Sequence, residues 1–334
     1  MKIAIITLTS QGKNLARLLN KKLKNDPTVL QTDLYHKQVK ATLKEIFHEY
    51  DCILGIMASG IMIRSICPLI KDKTVDPAIL LMDEKAEHVI SILSGHLGGG
   101  NDFTMKIANH TGARPVITTA TDVNCKLGID ALAHKYFMEL DNPSKIMKIN
   151  KALVSGEKIE LRVMPRLKYL FKDELVNNSY KQIIGQSLPS NKIEASFDDT
   201  KITLTPKKLV VGLGARKGVP CDMVLDAVSK ACQDLGIPLE RIDLIATGEP
   251  KNDEIGIIEA ADGIGLNLRV VTLEELKSFK HPQISKSQFV QKTFGVPGIC
   301  EPAALLAAGE NARLIYRKTK FNKVTIAIAV SDPS

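Results

Sequence analysis

The feature that most constrains this chain is a series of short, uniformly apolar segments, each separated from the next by a stretch with helical spacing. KIAIITL is followed by NLARLLNKKL, and VKATLKEIFHEY leads into DCILGIM and then SGIMIRSICPLI. Runs of this length that are apolar at every position fit strands buried on both faces, and the amphipathic stretches fit helices that cover them. Two more apolar runs, AILLM and EHVISIL, precede the helical FTMKIANHTG, where Gly112 suits a C-cap, and then the strand RPVITT. The pattern lapses between about Asn142 and Pro206, where a helix, NPSKIMKINKALVSG, is followed by polar-rich runs such as KIELRVM, YKQIIG and KITLTP. It restarts at Lys208 with LVVGLGA, RIDLIAT and LRVVT between helices, and closes with the hairpin-like pair RLIYRK and KVTIAIAV. The expected fold class is α/β, with two α/β domains of mostly parallel sheet, residues 1–138 and 208–334, flanking a small α+β module or linker at 139–207. A length of 334 residues agrees with about two domains.

Charge narrows the ligand. Lys and Arg total 45 against 37 Asp and Glu, a net charge of +8 that favours anionic partners. Aromatics are only 4% and Trp is absent, too few for the stacking platforms of single-strand binding, so no nucleic acid is expected and a small anion fits better. Cys52, Cys67, Cys125, Cys221, Cys232 and Cys300 form no CxxC pair, and the seven His show no ligand spacing. No resident metal or other cofactor is expected. No apolar run approaches the ~20 residues of a membrane span. The opening MKIAIITLT meets Ser10, Gln11 and Gly12 at once, unlike a secretory leader, so a soluble cytoplasmic protein without a membrane partner is expected.

Five stretches carry candidate chemistry. SGHLGGGND (94–102) follows a strand and opens a helix, which in a parallel sheet places it at the carboxyl edge, where ligands bind. Ser94, Gly95, Gly98, Gly99 and Asn101 are candidate binding positions through close backbone approach and free N–H groups, and His96 is a candidate acid or base. TTATD (118–122) ends the next strand on the same edge. Thr118, Thr119 and Thr121 are candidate carboxylate binders, while Asp122 either orients His96 or a water, or merely N-caps the following helix. GLGARKG (212–218) looks like a dinucleotide turn, but the next strand ends in Thr247 and Gly248 without the ribose-binding acid, so nicotinamide is disfavoured. Arg216 and Lys217 there suit a carboxylate or phosphate. Lys251 and Glu254 in KNDE are more readily a structural ion pair at a helix start. Glu301, in GVPGICEPAALLAAG, is either a complement to the helix dipole or an acid–base group with a raised pKa.

Taken together, GIMASGIMIRSICPLIKDKTVDPAILLMDE, VISILSGHLGGGNDF, ARPVITTATDV, VVGLGARKG, the KNDE turn and GVPGICEPAALLAAG resemble the CbiG family of cobalt-precorrin-5A hydrolases of anaerobic cobalamin biosynthesis. The C-terminal half also resembles CobE of the aerobic pathway. The resemblance implies opening of a δ-lactone on a ring-contracted cobalt corrinoid with loss of acetaldehyde. It makes the substrate a polycarboxylate and has the cobalt arrive within it. On residue chemistry, His96 is expected to activate water and the Gly98–Gly99 N–H groups to hold the oxyanion. Arg64, Arg216 and Lys217 are expected to hold carboxylates, and Glu301 or Asp122 to move the second proton. The alternative is a non-catalytic carrier that hands the corrinoid to other enzymes of the pathway.

Overall fold

A computed structural model describes residues 1–185, 191–282 and 284–333. The chain divides into two compact units, Met1–Thr205 and Pro206–Ser334. It is a mixed α/β protein built on three sheets.

The first sheet is ordered β2 (Gln31–His36), β1 (Lys2–Thr7), β3 (Cys52–Ile56), β4 (Ala78–Met82), β5 (His88–Leu93) and β6 (Arg114–Val116). Its central strands β1, β3 and β4 are buried almost throughout because both their faces are covered. Ile3, Ile5 and Leu54 pack with Ala16 and Leu19 of the helix Ser10–Leu23 and with Phe103 and Ile107 of the helix Gly100–Thr111. Ala4, Ile6 and Ile53 face the other way, onto Leu43 and Ile46 of the helix Val39–Ile46 and Met62 and Ile66 of the helix Ser59–Ile66. Each fully buried Leu or Ile contributes about 1.5–3 kcal/mol relative to exposure.

All neighbours in this sheet are parallel except β4 and β5. The five residues between those two strands are too few for a crossover, which needs a dozen or more. They form a tight turn instead, in which Asp83 accepts from Lys85 N at 2.9 Å and His88 N at 2.7 Å. The reversal corrects one expectation. The 94–102 loop does follow the carboxyl end of β5, but Leu93 pairs with Ile79 beside the start of β4. The loop therefore lies at the amino edge of β1, β3 and β4. Since β6 is parallel to β5, the TTATD stretch shares that edge with it.

The second sheet is ordered β7 (Met138–Leu140), β11 (Thr200–Pro206), β10 (Ile193–Phe197), β8 (Ile159–Val163) and β9 (Tyr180–Ile184). Here the strands alternate: Ile159, Leu161 and Val163 are buried while Glu160 and Arg162 are not. One face alone is covered, which is why no continuous apolar run marks this region. Its core includes Ile146, Ile149 and Leu153 of the helix Ile146–Val154, and also Ile129, Leu132 and Ala133 of the helix Ile129–Lys135, which precedes the module's expected start at 139.

The third sheet is ordered β14 (Leu268–Val271), β13 (Leu244–Gly248), β12 (Lys208–Ala215), β16 (Val324–Ser331) and β15 (Arg313–Phe321). β12, β13 and β14 run parallel, and β16 and β15 close the sheet as the expected antiparallel pair. The GLGARKG stretch is not a glycine turn. β12 continues through Gly212 and Gly214 to Ala215, and the turn is confined to the residues after it. Among the described residues no helix is long and apolar enough to cross a membrane.

Candidate active site

The loop after β5 is drawn tight on itself. Gly99 N donates to His96 O at 2.8 Å, Gly100 N to Ser94 O at 3.0 Å and Asn101 N to Gly95 O at 2.9 Å. Ser94 sits at φ 55°, a left-handed conformation unusual for a side chain with a Cβ. It is held there by Ser94 Oγ donating to Asp76 O at 2.9 Å. Gly98 is glycine for packing: a Cβ there would lie 2.5 Å from Ser94 Cβ. The expected oxyanion donor at Gly99 is thus already engaged inside the loop. The glycines serve to fold the loop tightly.

That folding places His96, with its side chain 10% exposed, between two carboxylates. Nε2 lies 2.8 Å from Asp122 Oδ2 and Nδ1 lies 3.1 Å from Asp130 Oδ2. Burial alone would lower the pKa of the imidazole. Hydrogen bonds and charge from Asp122 and Asp130 outweigh it and push the value up to about 10. At neutral pH the ring is an imidazolium that donates from both nitrogens and has no lone pair with which to accept a proton from water. This departs from the water-activating role expected of it. Asp122 and Asp130, which burial alone would raise, are held below the usual carboxylate range by His96.

The expected threonines and asparagine gather around Asp122. Asn101 Nδ2 donates to Thr119 Oγ1 at 2.7 Å and to Asp122 Oδ2 at 3.2 Å, and Thr121 Oγ1 lies 3.3 Å from His96 Nε2. Asp122 does not cap the helix Ile129–Lys135, whose cap is Gly128. It stands in the short helix Ala120–Val123, with the carboxylate directed at His96 and open to solvent. Thr118 is exposed beside this cluster, and Arg64 is exposed on the helix that leaves the carboxyl end of β3.

In the other unit, Glu254 is buried and accepts from Gly218 N at 2.9 Å and from Lys251 Nζ at 3.2 Å. The KNDE pair thereby pins the turn that carries Arg216 and Lys217, both exposed. Glu301, 2% exposed, accepts from Ser285 N and Ser285 Oγ at 2.7 Å each and from Lys318 N at 3.0 Å. Those three donors make it a brace between the 285 segment, the helix Cys300–Ala308 and β15. Asp130 was missed in the sequence because IDALAHK reads as an ordinary amphipathic helix, and only its offset from the apolar positions marks it.

The imidazolium gives a sign to the pH dependence of stability. Its pKa is raised in the folded protein, so its contribution is complete below the unfolded value near 6.5 and is lost as pH rises through about 10. The lowered carboxylates act the other way, their share being lost as pH falls below 3.8. The alkaline loss is expected to be about 2–4 kcal/mol, less than the full shift implies because Asp122 faces solvent. Denaturant titrations across this alkaline range should show the loss in the natural chain and not in His96→Gln. An equal slope in both would contradict the imidazolium.

Residues 41–122 match the family profile described as cobalamin synthesis G N-terminal, and residues 209–329 the one described as cobalamin synthesis G C-terminus. A protein of Methanocaldococcus jannaschii described as "Probable cobalt-precorrin-5A hydrolase" is 38% identical over 99% of this chain and 100% of its own length. The cobalt-precorrin-5A hydrolase of Salmonella typhimurium is 31% identical over 87% of this chain and 85% of its own. Protein CobE of a Sinorhizobium species is 28% identical over 36% of this chain and 79% of its own. The crystal structure of a cobalamin biosynthesis protein G homologue from Sulfolobus solfataricus superposes with a TM-score of 0.58 at 27% identity, covering 98% of this chain and 97% of that one. With both family profiles matched and full-length identity to a relative well above the level of chance, the chain belongs to the cobalamin synthesis G (CbiG) family.

Proposed function

We propose that this protein is a cobalt-precorrin-5A hydrolase that opens the δ-lactone of the corrinoid and releases acetaldehyde. The observation that carries the reading is the end-to-end similarity to relatives bearing that name. The Asp122–His96–Asp130 cluster supplies chemistry suited to it. Asp122 is ionised, reachable from solvent and within a network that fixes its orientation, so it takes the proton of the attacking water. His96 is the acid: an imidazolium that stays protonated at neutral pH can deliver its Nε2 proton to the alkoxide that departs when the lactone opens. Thr119, Thr121 and Asn101 hold Asp122 in place for the exchange. Arg216 and Lys217, exposed cations of the second unit, suit carboxylates such as those at a corrinoid's periphery, whereas Arg64, on the helix that leaves the carboxyl end of β3, stands at the opposite edge of the first sheet from the His96 loop and is given no part in this cluster.

No resident cofactor is proposed, and the cobalt enters as part of the substrate. The cytoplasm is the proposed compartment, with transfer of the product to other enzymes of the pathway. The reading is tested by incubating the purified protein anaerobically with cobalt-precorrin-5A and weighing the corrinoid by mass spectrometry. A product that has gained water and lost acetaldehyde, formed in proportion to enzyme, is expected. Corrinoid that stays bound and unchanged would overturn the hydrolase in favour of a carrier.

A further inference from the structure

The helix Ile129–Lys135 belongs by packing to the second sheet, yet one of its side chains reaches the catalytic loop of the first. Asp130 is 6% exposed, and a buried carboxylate carries a desolvation penalty of several kcal/mol unless it is well paired. Its two oxygens divide their work. Oδ1 accepts from Asn150 Nδ2 at 2.8 Å and from Ala131 N at 3.2 Å, both within the second module, whereas Oδ2 faces His96 Nδ1 at 3.1 Å. Asn150, on the helix Ile146–Val154, is fixed in turn because its Oδ1 accepts from Ile129 N at 2.9 Å. The segment leading to Asp130 is clamped from the far side as well. Leu127 N donates to Ser179 Oγ at 2.8 Å, Tyr180 Oη donates to Leu127 O at 2.8 Å, and Lys126 Nζ donates to Asn178 O at 2.6 Å.

We infer that Asp130 and Asn150 are positioning residues of this site, and that the second sheet with its helices is the platform that aims His96 at Asp122. The inference rests on the functional reading above, which places His96 at the reacting bond. Its logic is the difference between the two ends of the imidazole. The Nδ1 end meets a buried carboxylate locked by an amide, so that proton stays where it is. The Nε2 end meets a carboxylate open to solvent, so that proton can be exchanged with a substrate oxygen. A buried carboxylate needed for stability alone is replaceable by an apolar side chain of similar volume. One that fixes the orientation and charge of a catalytic imidazole is not. The titratable groups facing His96 are Asp122 from the short helix after β6 and Asp130 from the helix Ile129–Lys135, with Tyr180 of β9 behind Asp130.

The test is the titration of His96 in the full-length protein, followed by NMR of isotope-labelled imidazoles and assigned with His96→Gln. In Asp130→Asn the midpoint of His96 is expected to fall by about one to three pH units, the range for loss of an adjacent opposite charge. The alkaline limb of the rate profile should move with it. Asn150→Ala, which frees Asp130 to turn away, should move both in the same direction by less. Circular dichroism establishes that each variant is folded. If Asp130→Asn does not fold, the Asn150→Ala titration decides alone. A His96 midpoint unchanged in the folded variants would overturn the inference even if turnover drops. Failure of the natural protein to release acetaldehyde would instead overturn the functional reading and leave the titration to judge the positioning role by itself.

Discussion

Replacing His96 with Ala is expected to lower acetaldehyde release by about 10²–10⁴-fold, the range for loss of a positioned acid or base. The variant removes more than the proton donor. Asp122 loses its shortest charged partner, the 2.8 Å contact with Nε2, and keeps the neutral donors Asn101, Thr119 and Thr121 to orient it toward water. Asp130 loses the partner of one oxygen inside the core while retaining Asn150 and Ala131 N on the other. Its carboxyl group is then expected to take up a proton, because removing one member of a buried pair costs about 3–5 kcal/mol if the charge stays. A folded His96→Ala protein with reduced stability and strongly reduced turnover fits this account. Full turnover in a folded variant would remove His96 from the chemistry.

The second large effect is structural. Gly212 lies in the middle of β12 directly under the helix Cys300–Ala308, and a Cβ there would come within 1.9 Å of Cys300 O and 2.9 Å of Ala304 Cβ. Backbone atoms on both sides leave no flexible side chain to give way. The helix can lie this close only because the strand has no side chain at the contact and the helix presents alanines. All its residues except Leu306 are buried. Gly212→Ala must lift the helix from the sheet and expose Ala303, Ala304 and Ala307. A loss of about 4 kcal/mol or more in the stability of this unit is expected, in the exceptional class of single substitutions. Gly263→Ala is the control: nothing lies within 4 Å of the added methyl group, and a change within about 0.5 kcal/mol is expected. Matching denaturation midpoints for the two variants would contradict the packing argument.

How much of this was legible in the residues follows from what kind of signal each feature has. Strands buried on both faces, such as KIAIIT and CILGI, announce themselves because every interior position is apolar. The strands of the second sheet, covered on one face, read as polar-rich runs. The antiparallel step between β4 and β5 was readable in principle, since five residues cannot carry a crossover. Two adjacent apolar runs in a chain of parallel strands invited the opposite reading, and with it the wrong edge of the sheet for the 94–102 loop. The glycines of SGHLGGGN drew attention to the loop, and each has a packing reason there: Gly98 and Gly100 lie against Ser94, Gly95 against Asn101, and Gly99 takes a positive φ beside His134. His96 and Asp122 stood out by type and place. Asp130 did not, because its meaning depends on a contact between two sheets that no local pattern encodes. Glu301, equally prominent in sequence, turned out to brace three segments through donors distant along the chain.

The most direct measurement of the central claim is acetaldehyde, trapped and quantified after the purified protein is mixed anaerobically with cobalt-precorrin-5A. Release that rises in proportion to enzyme, above the spontaneous rate, and collapses in His96→Ala is the predicted result. Release at the spontaneous rate alone, with or without binding of the corrinoid, would contradict it.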